Sequence, residues 1–363
     1  MIAASLPVQR PADAKLLVAG ARGELRHLPR RAFVELLRRG DLVVANDAAT
    51  LPASLTGRHL ASGASIEVRL AGARSLRVEE DPRFVAIVFG AGDFHTRTED
   101  RARPPPLASG DRLELGQATA TVEKLLDHPR LVELRFEGSS ETVWAAIAHH
   151  GRPIQYAHVP ASLALWDVWT PIAAAPVAFE PPSAGFTLDW GSLAAMRERG
   201  AGFATLTLAA GISSTGDAAL DTRLPFDEPY RIHEATVRAI QRTKSRGGRV
   251  IAIGTTVVRA LESAVASGRR LRAGDGLATL RLGAGTRLHI VDAILSGTHA
   301  PRTSHYEMLR AFADDARLQG MSAELERCGY RTHEFGDSVL LEAASPEAPQ
   351  WIRTGIAQLR GVI

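Results

Sequence analysis

Residues 247 to 264 read GGRVIAIGTTVVRALESA. The glycine pair opens onto RVIAIG, a short apolar run that predicts a buried strand, and VVRALESA follows with apolar side chains at helical spacing. Between them stand Gly254, Thr255 and Thr256, with the helix expected from about Val257. A threonine at a helix start caps some free N–H groups and leaves others facing a ligand, so the corner suits an anion. A phosphate and the carboxylate of an amino acid fit it equally. One turn on, Arg259 and Glu262 stand at i and i+3 on one helix face, where they can pair or aim into the same cleft.

On the N-terminal side, a helix expected from Glu234 to Arg246 carries Lys244 and Arg246 in its last turn, matching the negative helix end, and stops at Gly247. On the C-terminal side, RLHIVDAIL (287 to 295) predicts a strand that would bury Asp292, a costly act unless the carboxylate is partnered or used, so Asp292 is a candidate site group. His299 and His305 flank Pro301 in GTHAPRTSH, a loop just past that strand, where open α/β sheets and barrels hold their ligands. A helix and a last strand, DSVLLEA, close this part.

Earlier in the chain, a strand at Leu16 to Val18, a helix carrying Phe33, Leu36 and Leu37, and the apolar run in GDLVVAND continue the α/β alternation. From about 57 to 150 the pattern changes to SIEVRL, RFVAIVF, DRLEL, ATATVEKLL and LVELRF between Gly, Asp and Pro turns, which predicts a small inserted all-β domain. RARPPPLASGD (101 to 111) must be a loop, because consecutive prolines cannot donate to a ladder. After 180, TLDWGSLAAMRERG predicts a helix, FATLTLA a strand and GISSTGD a polar loop.

A chain of 363 residues favours two domains, and 45% hydrophobic with 23% charged residues is enough for ordinary cores. The 43 Lys and Arg, mostly Arg, allow a nucleic-acid partner, although an Arg- and Ala-rich chain also follows from a GC-rich genome. One cysteine, Cys328, excludes an intramolecular disulfide and a Cys-based metal site, and no His and carboxylate set has zinc-like spacing. With no apolar run of about 18 residues, a soluble cytoplasmic monomer is expected. GxGxxG after the first strand, GxxxxGK[ST] and GxSxG are absent, which removes dinucleotide, P-loop and α/β-hydrolase readings.

Several blocks in order resemble the S-adenosylmethionine:tRNA ribosyltransferase-isomerase family. GDLVVANDAATLPASLTGR (40 to 58) is similar to its GDLLV-NDTRVIPARL-GR, PPSAGFTLD (181 to 189) to its APTAGLHFT, and SGDRLEL (109 to 115) to part of its inserted domain. GGRVIAIGTTVVRALESA, LHIVDAILSGTHAPRTS and EFGDSVLL follow in their places, and the 247 to 264 block is the specific one. The resemblance implies a barrel-like α/β main domain (1 to 56 and 151 to 363) carrying an inserted β-barrel (57 to 150). It implies that S-adenosylmethionine gives its ribosyl unit, not its methyl group, to the aminomethyl group of a 7-deazaguanine in tRNA. A proton leaves the ribose carbon next to the sulfonium, adenine and methionine depart, and an epoxycyclopentanediol results, without metal or redox cofactor.

Carried over by motif, Gly254, Thr255, Thr256, Arg259, Glu262, Asn46 and Gly185 are expected to hold the donor, and Asp47, Asp292 and His299 to supply the chemistry. The chain also departs from the pattern. Ala49 and Ser54 stand where the family has arginines; Thr187, Ala209 and Phe226 stand at the histidines of AGLHF, HVGLGTF and MHSE; RYQTVY becomes LWDVWT (165 to 170). Imidazole moves protons and recognises polar groups in ways Ala and Phe cannot. Two alternatives stay open: a donor-using enzyme with a small-molecule acceptor, and a non-catalytic nucleotide- or RNA-binding paralogue. A tRNA face would draw on Arg101, Arg103 and Arg112, and Trp166 and Trp169 are expected to pack in a core.

Overall fold

In the computed structural model, which describes residues 1–77, 80–268 and 270–343, the apolar run Val250–Ile253 is fully buried. It pairs in parallel with Leu42–Asn46 on one side and with Ala293–Gly297 on the other. Leu42–Asn46 also pairs in parallel with Gly202–Leu208. These four strands therefore end on the same edge.

Further strands, all antiparallel to their inner neighbours except Lys15–Ala19, which runs parallel to Ser338–Glu342, extend the sheet to nine: Gly274–Ala278, Glu228–Ile232, Gly202–Leu208, Leu42–Asn46, Val250–Ile253, Ala293–Gly297, Ser338–Glu342, Lys15–Ala19 and Leu25–Pro29 in spatial order. The central strands are covered on both faces, which explains their unbroken apolar character. Alternate side chains divide between two cores. Val43, Ala45, Ile251, Ile253, Ala293 and Leu295 meet Phe33, Leu37, Leu188 and Met196, the latter two at or near the helix Trp190–Glu198. Val44, Val250, Ala252 and Ile294 face the core that contains Val237 and Ile240 of Glu234–Ser245 and Val257, Val258 and Leu261 of Thr255–Val265.

Two local expectations are corrected here. The segment with Phe33 is a 3-10 turn, Arg30–Leu36, and not an α-helix. In RLHIVDAIL only Ala293 onward is strand. The N–H groups of His289, Ile290 and Val291 instead donate to the Glu262 carboxylate at 2.9 Å each, which takes the place of a ladder.

The alternating segments form a closed six-stranded barrel: Ser54–His59, Ser65–Ala73, Arg83–Phe89, Arg112–Leu115, Ala118–Leu125 and Leu131–Phe136. Closure leaves no unpaired sheet edge. Leu55, Val68, Leu70, Ala86, Val88, Leu113, Leu115, Val122 and Leu134 fill it. Residues 104 to 106, the three prolines, lie outside any strand. The fold is thus a mixed α/β body with an inserted β-barrel; residues 344 to 363 of the expected main domain lie outside the described residues. Among the described residues no helix is long and apolar enough to cross a membrane.

Candidate active site

The chain turns from Val250–Ile253 into the helix Thr255–Val265 at Gly254, whose φ of 89° and ψ of 161° form a combination essentially restricted to glycine. A Cβ there would also lie 3.3 Å from that of Ala184. No side chain caps the helix. This corrects the expectation of a threonine cap: the capping position is Gly254, and Thr255 is already helical. The first-turn N–H groups have no intrahelical acceptors, and Gly254, Thr255 and Thr256 line a cleft at the carboxyl edge of the sheet. Behind them Asn46 Nδ2 donates to Leu208 O at 2.9 Å and Thr256 Oγ1 at 3.4 Å, tying two strand ends to the corner.

The opposite wall comes from three loops. After Ala293–Gly297, His299 Nε2 lies 2.8 Å from Ser296 Oγ, and its ring stacks on His305 at 4.8 Å. Burial holds His299 well below the usual imidazole range, helped by His305 and His333, and burial also lowers His305. Before Ser338–Glu342, His333 and Glu334 reach the cleft; His333 has a φ of 70°. His158 Nε2 is 3.0 Å from Glu334 Oε2, and its ring stacks on His333 at 4.1 Å. Burial would raise Glu334, but the hydrogen bond and charge of His158 outweigh it and hold the carboxyl below its ordinary value.

The third group is Glu180, placed after the strand Ala175–Ala178 and fixed by Pro181 and Pro182. Tyr156 donates its hydroxyl to Glu180 Oε1. Burial pushes Glu180 up to about 7; hydrogen bonds from Ser213 and Tyr156 oppose the rise and the charge of Glu334 adds to it. Burial, then Glu180, pushes Tyr156 well above its usual value. A cavity of about 560 Å³, lined by Arg97, Glu99, Tyr156, His158 and Ser214, adjoins a narrower one of about 150 Å³ at Gly254, Glu180 and Glu228. The two share Ser213, His299, His305, His333 and Glu334.

Of the expected residues, the structure brings Gly254, Thr255, Thr256 and His299 together in the cleft. Gly185 adjoins Ala184 of the cleft wall in the turn Ser183–Thr187, where a Cβ would lie 2.9 Å from Thr170 Cγ2. Asp47 is buried beside Asn46, its Oδ1 accepting from Thr207 Oγ1 at 2.6 Å. Three residues stand elsewhere. Arg259 lies behind the wall, donating to Glu228, to Phe226 O at 3.0 Å and to Ala278 O at 2.8 Å, while Glu228 faces the cleft and accepts from Gly211 N at 2.8 Å. Glu262 is occupied by its three backbone donors. Asp292 precedes its strand and so sits at the opposite sheet edge, 2.8 Å from Lys244 Nζ and 2.7 Å from Val250 N. Its side chain is 36% exposed and already partnered, so the expected burial does not occur.

Glu180, Tyr156, His158, His333 and Glu334 carry no regular spacing in the sequence. The one legible signal is the placing of Glu180 as a lone carboxylate at the end of the apolar run AAAPVAF. Three surface expectations also change. The Arg101 side chain is 0% exposed and paired with Glu67, so it cannot reach an RNA. Arg112 is exposed but paired with Glu137 at 2.8 Å. Trp166 is 76% and Trp169 42% exposed, outside any core, with Trp169 Nε1 donating to Thr50 O at 2.8 Å. His158, His333 and Glu334 place ligand-capable atoms within 4.8 Å of one another, as do His27, Glu324 and Cys328, a grouping that linear spacing hides.

Residues 1–341 match the family model described as queuosine biosynthesis protein. The S-adenosylmethionine:tRNA ribosyltransferase-isomerase of Sorangium cellulosum is 31% identical over 94% of this chain and 95% of its own. That of Gloeobacter violaceus is 33% identical over 84% and 83%, and that of Synechococcus elongatus 32% over 90% and 89%. The crystal structure of an S-adenosylmethionine tRNA ribosyltransferase from Thermotoga maritima aligns with a TM-score of 0.49 at 22% identity, covering 93% of this chain and 96% of that one. A family match along nearly the whole sequence, with relatives above 30% identity over most of both chains, makes this chain a member of the queuosine biosynthesis protein family.

Proposed function

We propose that the protein transfers and isomerises the ribosyl unit of S-adenosylmethionine onto the aminomethyl group of 7-aminomethyl-7-deazaguanine in tRNA, giving epoxyqueuosine and releasing adenine and methionine. The observation that supports it best is the uncapped, glycine-started helix facing a wall of buried proton-transfer groups across one cleft. Gly254, Thr255 and Thr256 offer backbone donors and a helix dipole to the donor's carboxylate. Glu228 and Glu334 offer negative charge to its ammonium and sulfonium. His299 and His305, kept neutral by burial, can accept hydrogen bonds at pH 7. The wider cavity beside Tyr156 and His158 leaves room for the acceptor base.

On this reading the chain works in the cytoplasm as a monomer, where its tRNA substrate is, and needs no metal or redox cofactor. Asp47 and Asn46 shape the site from behind, and Arg259 acts by fixing Glu228. The three family histidines replaced at Thr187, Ala209 and Phe226 leave a cleft that still holds His158, His299, His305 and His333. Mass spectrometry of nucleosides from tRNA incubated with donor and protein tests the proposal. Epoxyqueuosine supports it; an unchanged base with donor consumed would assign a different acceptor.

A further inference from the structure

The narrow cavity at Gly254 is lined by three carboxyl groups among the described residues, Glu180, Glu228 and Glu334, and their surroundings differ. Glu228 is engaged on both oxygens, by Gly211 N and by Arg259. Glu334 is held in its charged form by His158. Glu180 has no cationic partner among the hydrogen bonds and ion pairs of the described residues. It is held by neutral donors only, Tyr156 and Ser213, which fix its direction without locking its charge.

Its position is also distinct. Glu180 lines the narrow cavity with Gly254, Thr255 and Thr256, where the donor's amino-acid end would sit, while its partner Tyr156 lines the wider cavity. Tyr156 Oη further reaches Ser213 Oγ and Ser214 O at 3.4 Å, so a hydrogen-bonded path leads from the carboxyl toward the acceptor side. Pro181 and Pro182 directly after it restrict the backbone that carries it. Glu180 also lies just outside the block PPSAGFTLD, so no motif match assigns it a role.

Resting on the reaction proposed above, we propose that Glu180 is the base of this enzyme, its carboxylate taking the proton from the ribose carbon bonded to sulfur while the electron pair stays on that carbon beside the sulfonium. No redox partner enters the step: one C–H bond breaks, one O–H bond forms, and the carbanion is stabilised by the positive sulfur. The proton then returns to solvent through Tyr156 or to departing adenine. Burial, which pushes Glu180 up to about 7, suits a group that must accept and release a proton near neutral pH. Tyr156 is a positioning residue, since its hydroxyl aims the carboxylate and favours its ionised form.

The test uses the full chain with saturating donor and modified tRNA. Glu180→Gln keeps size and hydrogen-bonding capacity, and is expected to lower kcat by about 10²- to 10⁴-fold with the donor dissociation constant, read by calorimetry, within about threefold. Tyr156→Phe is expected to keep more activity and to move the acid limb of the kcat profile to higher pH, because the carboxylate loses a donor; Glu180→Asp should recover part of kcat. A Glu180→Gln enzyme turning over within threefold of the parent, or one that has lost donor binding as well, overturns the assignment. If the parent chain releases no adenine with this tRNA, the reaction itself is misread, a failure visible before any variant is made.

Discussion

Tyr156 and Glu180 share a hydrogen bond at the junction of the two cavities, and the carboxyl is buried enough to be pushed up to about 7. In the unfolded chain the same group returns to its ordinary value of 4.5. Below that value both states are protonated and no penalty arises. As pH rises the unfolded chain ionises first, so this group's contribution falls between 4.5 and about 7 and then levels. Replacing Glu180 with Gln should therefore stabilise the protein at pH 8 by up to ~3 kcal/mol and by nothing near pH 4. Urea unfolding of both forms at the two pH values checks this; an equal gain at both contradicts it.

Gly254 controls the corner. Gly254→Ala forces a Cβ into a backbone region closed to it and against Ala184, at a cost of about 1–3 kcal/mol. Donor affinity should fall by about tenfold or more as the first-turn N–H groups shift. Calorimetric titration with S-adenosylmethionine, beside a thermal melt, separates the two effects. Unchanged affinity would remove the helix start from donor binding.

Arg259 and Glu228 form a buried pair, 3% and 8% exposed at their side chains. Arg259→Gln leaves the carboxylate without its cation and should cost about 3–5 kcal/mol in urea unfolding. The donor's KM should rise along with this loss, since Glu228 then moves. A variant as stable as the parent would show that Arg259 is available to a ligand.

Asp292 at the far sheet edge gives the opposite expectation. Asp292→Asn should leave turnover within about threefold and cost ~1 kcal/mol or less, because the pair with Lys244 is partly exposed. A collapse of kcat with donor binding intact would return Asp292 to the chemistry.

These cases show where a linear reading holds and where it stops. The β-strand, glycine and helix of residues 250 to 265 and the barrel segments were legible because their periodicities are local. Glu262 reads as a ligand group because a buried carboxylate looks the same whether a row of backbone N–H groups or a substrate meets its charge, whereas Asp292 reads as buried in a strand that in fact starts one residue later and leaves its side chain 36% exposed. The cluster of Glu180, Tyr156, His158 and Glu334 is not legible as a cluster because three loops far apart in the chain make it: the one holding both Tyr156 and His158, the one after Ala175–Ala178 and the one before Ser338–Glu342. Arg101 was misplaced since its loop, polar in sequence, folds its side chain inward onto Glu67. The exposure of Trp166 follows from its short helix, Leu165–Val168, which buries only Val168.

The most direct measurement is chromatography of purified protein with S-adenosylmethionine, with and without tRNA bearing 7-aminomethyl-7-deazaguanine. Adenine and methionine are expected in equal amounts, formed only when that tRNA is present and matching the base converted. Release without the tRNA, or donor binding with no release under any acceptor condition, would contradict the proposed reaction.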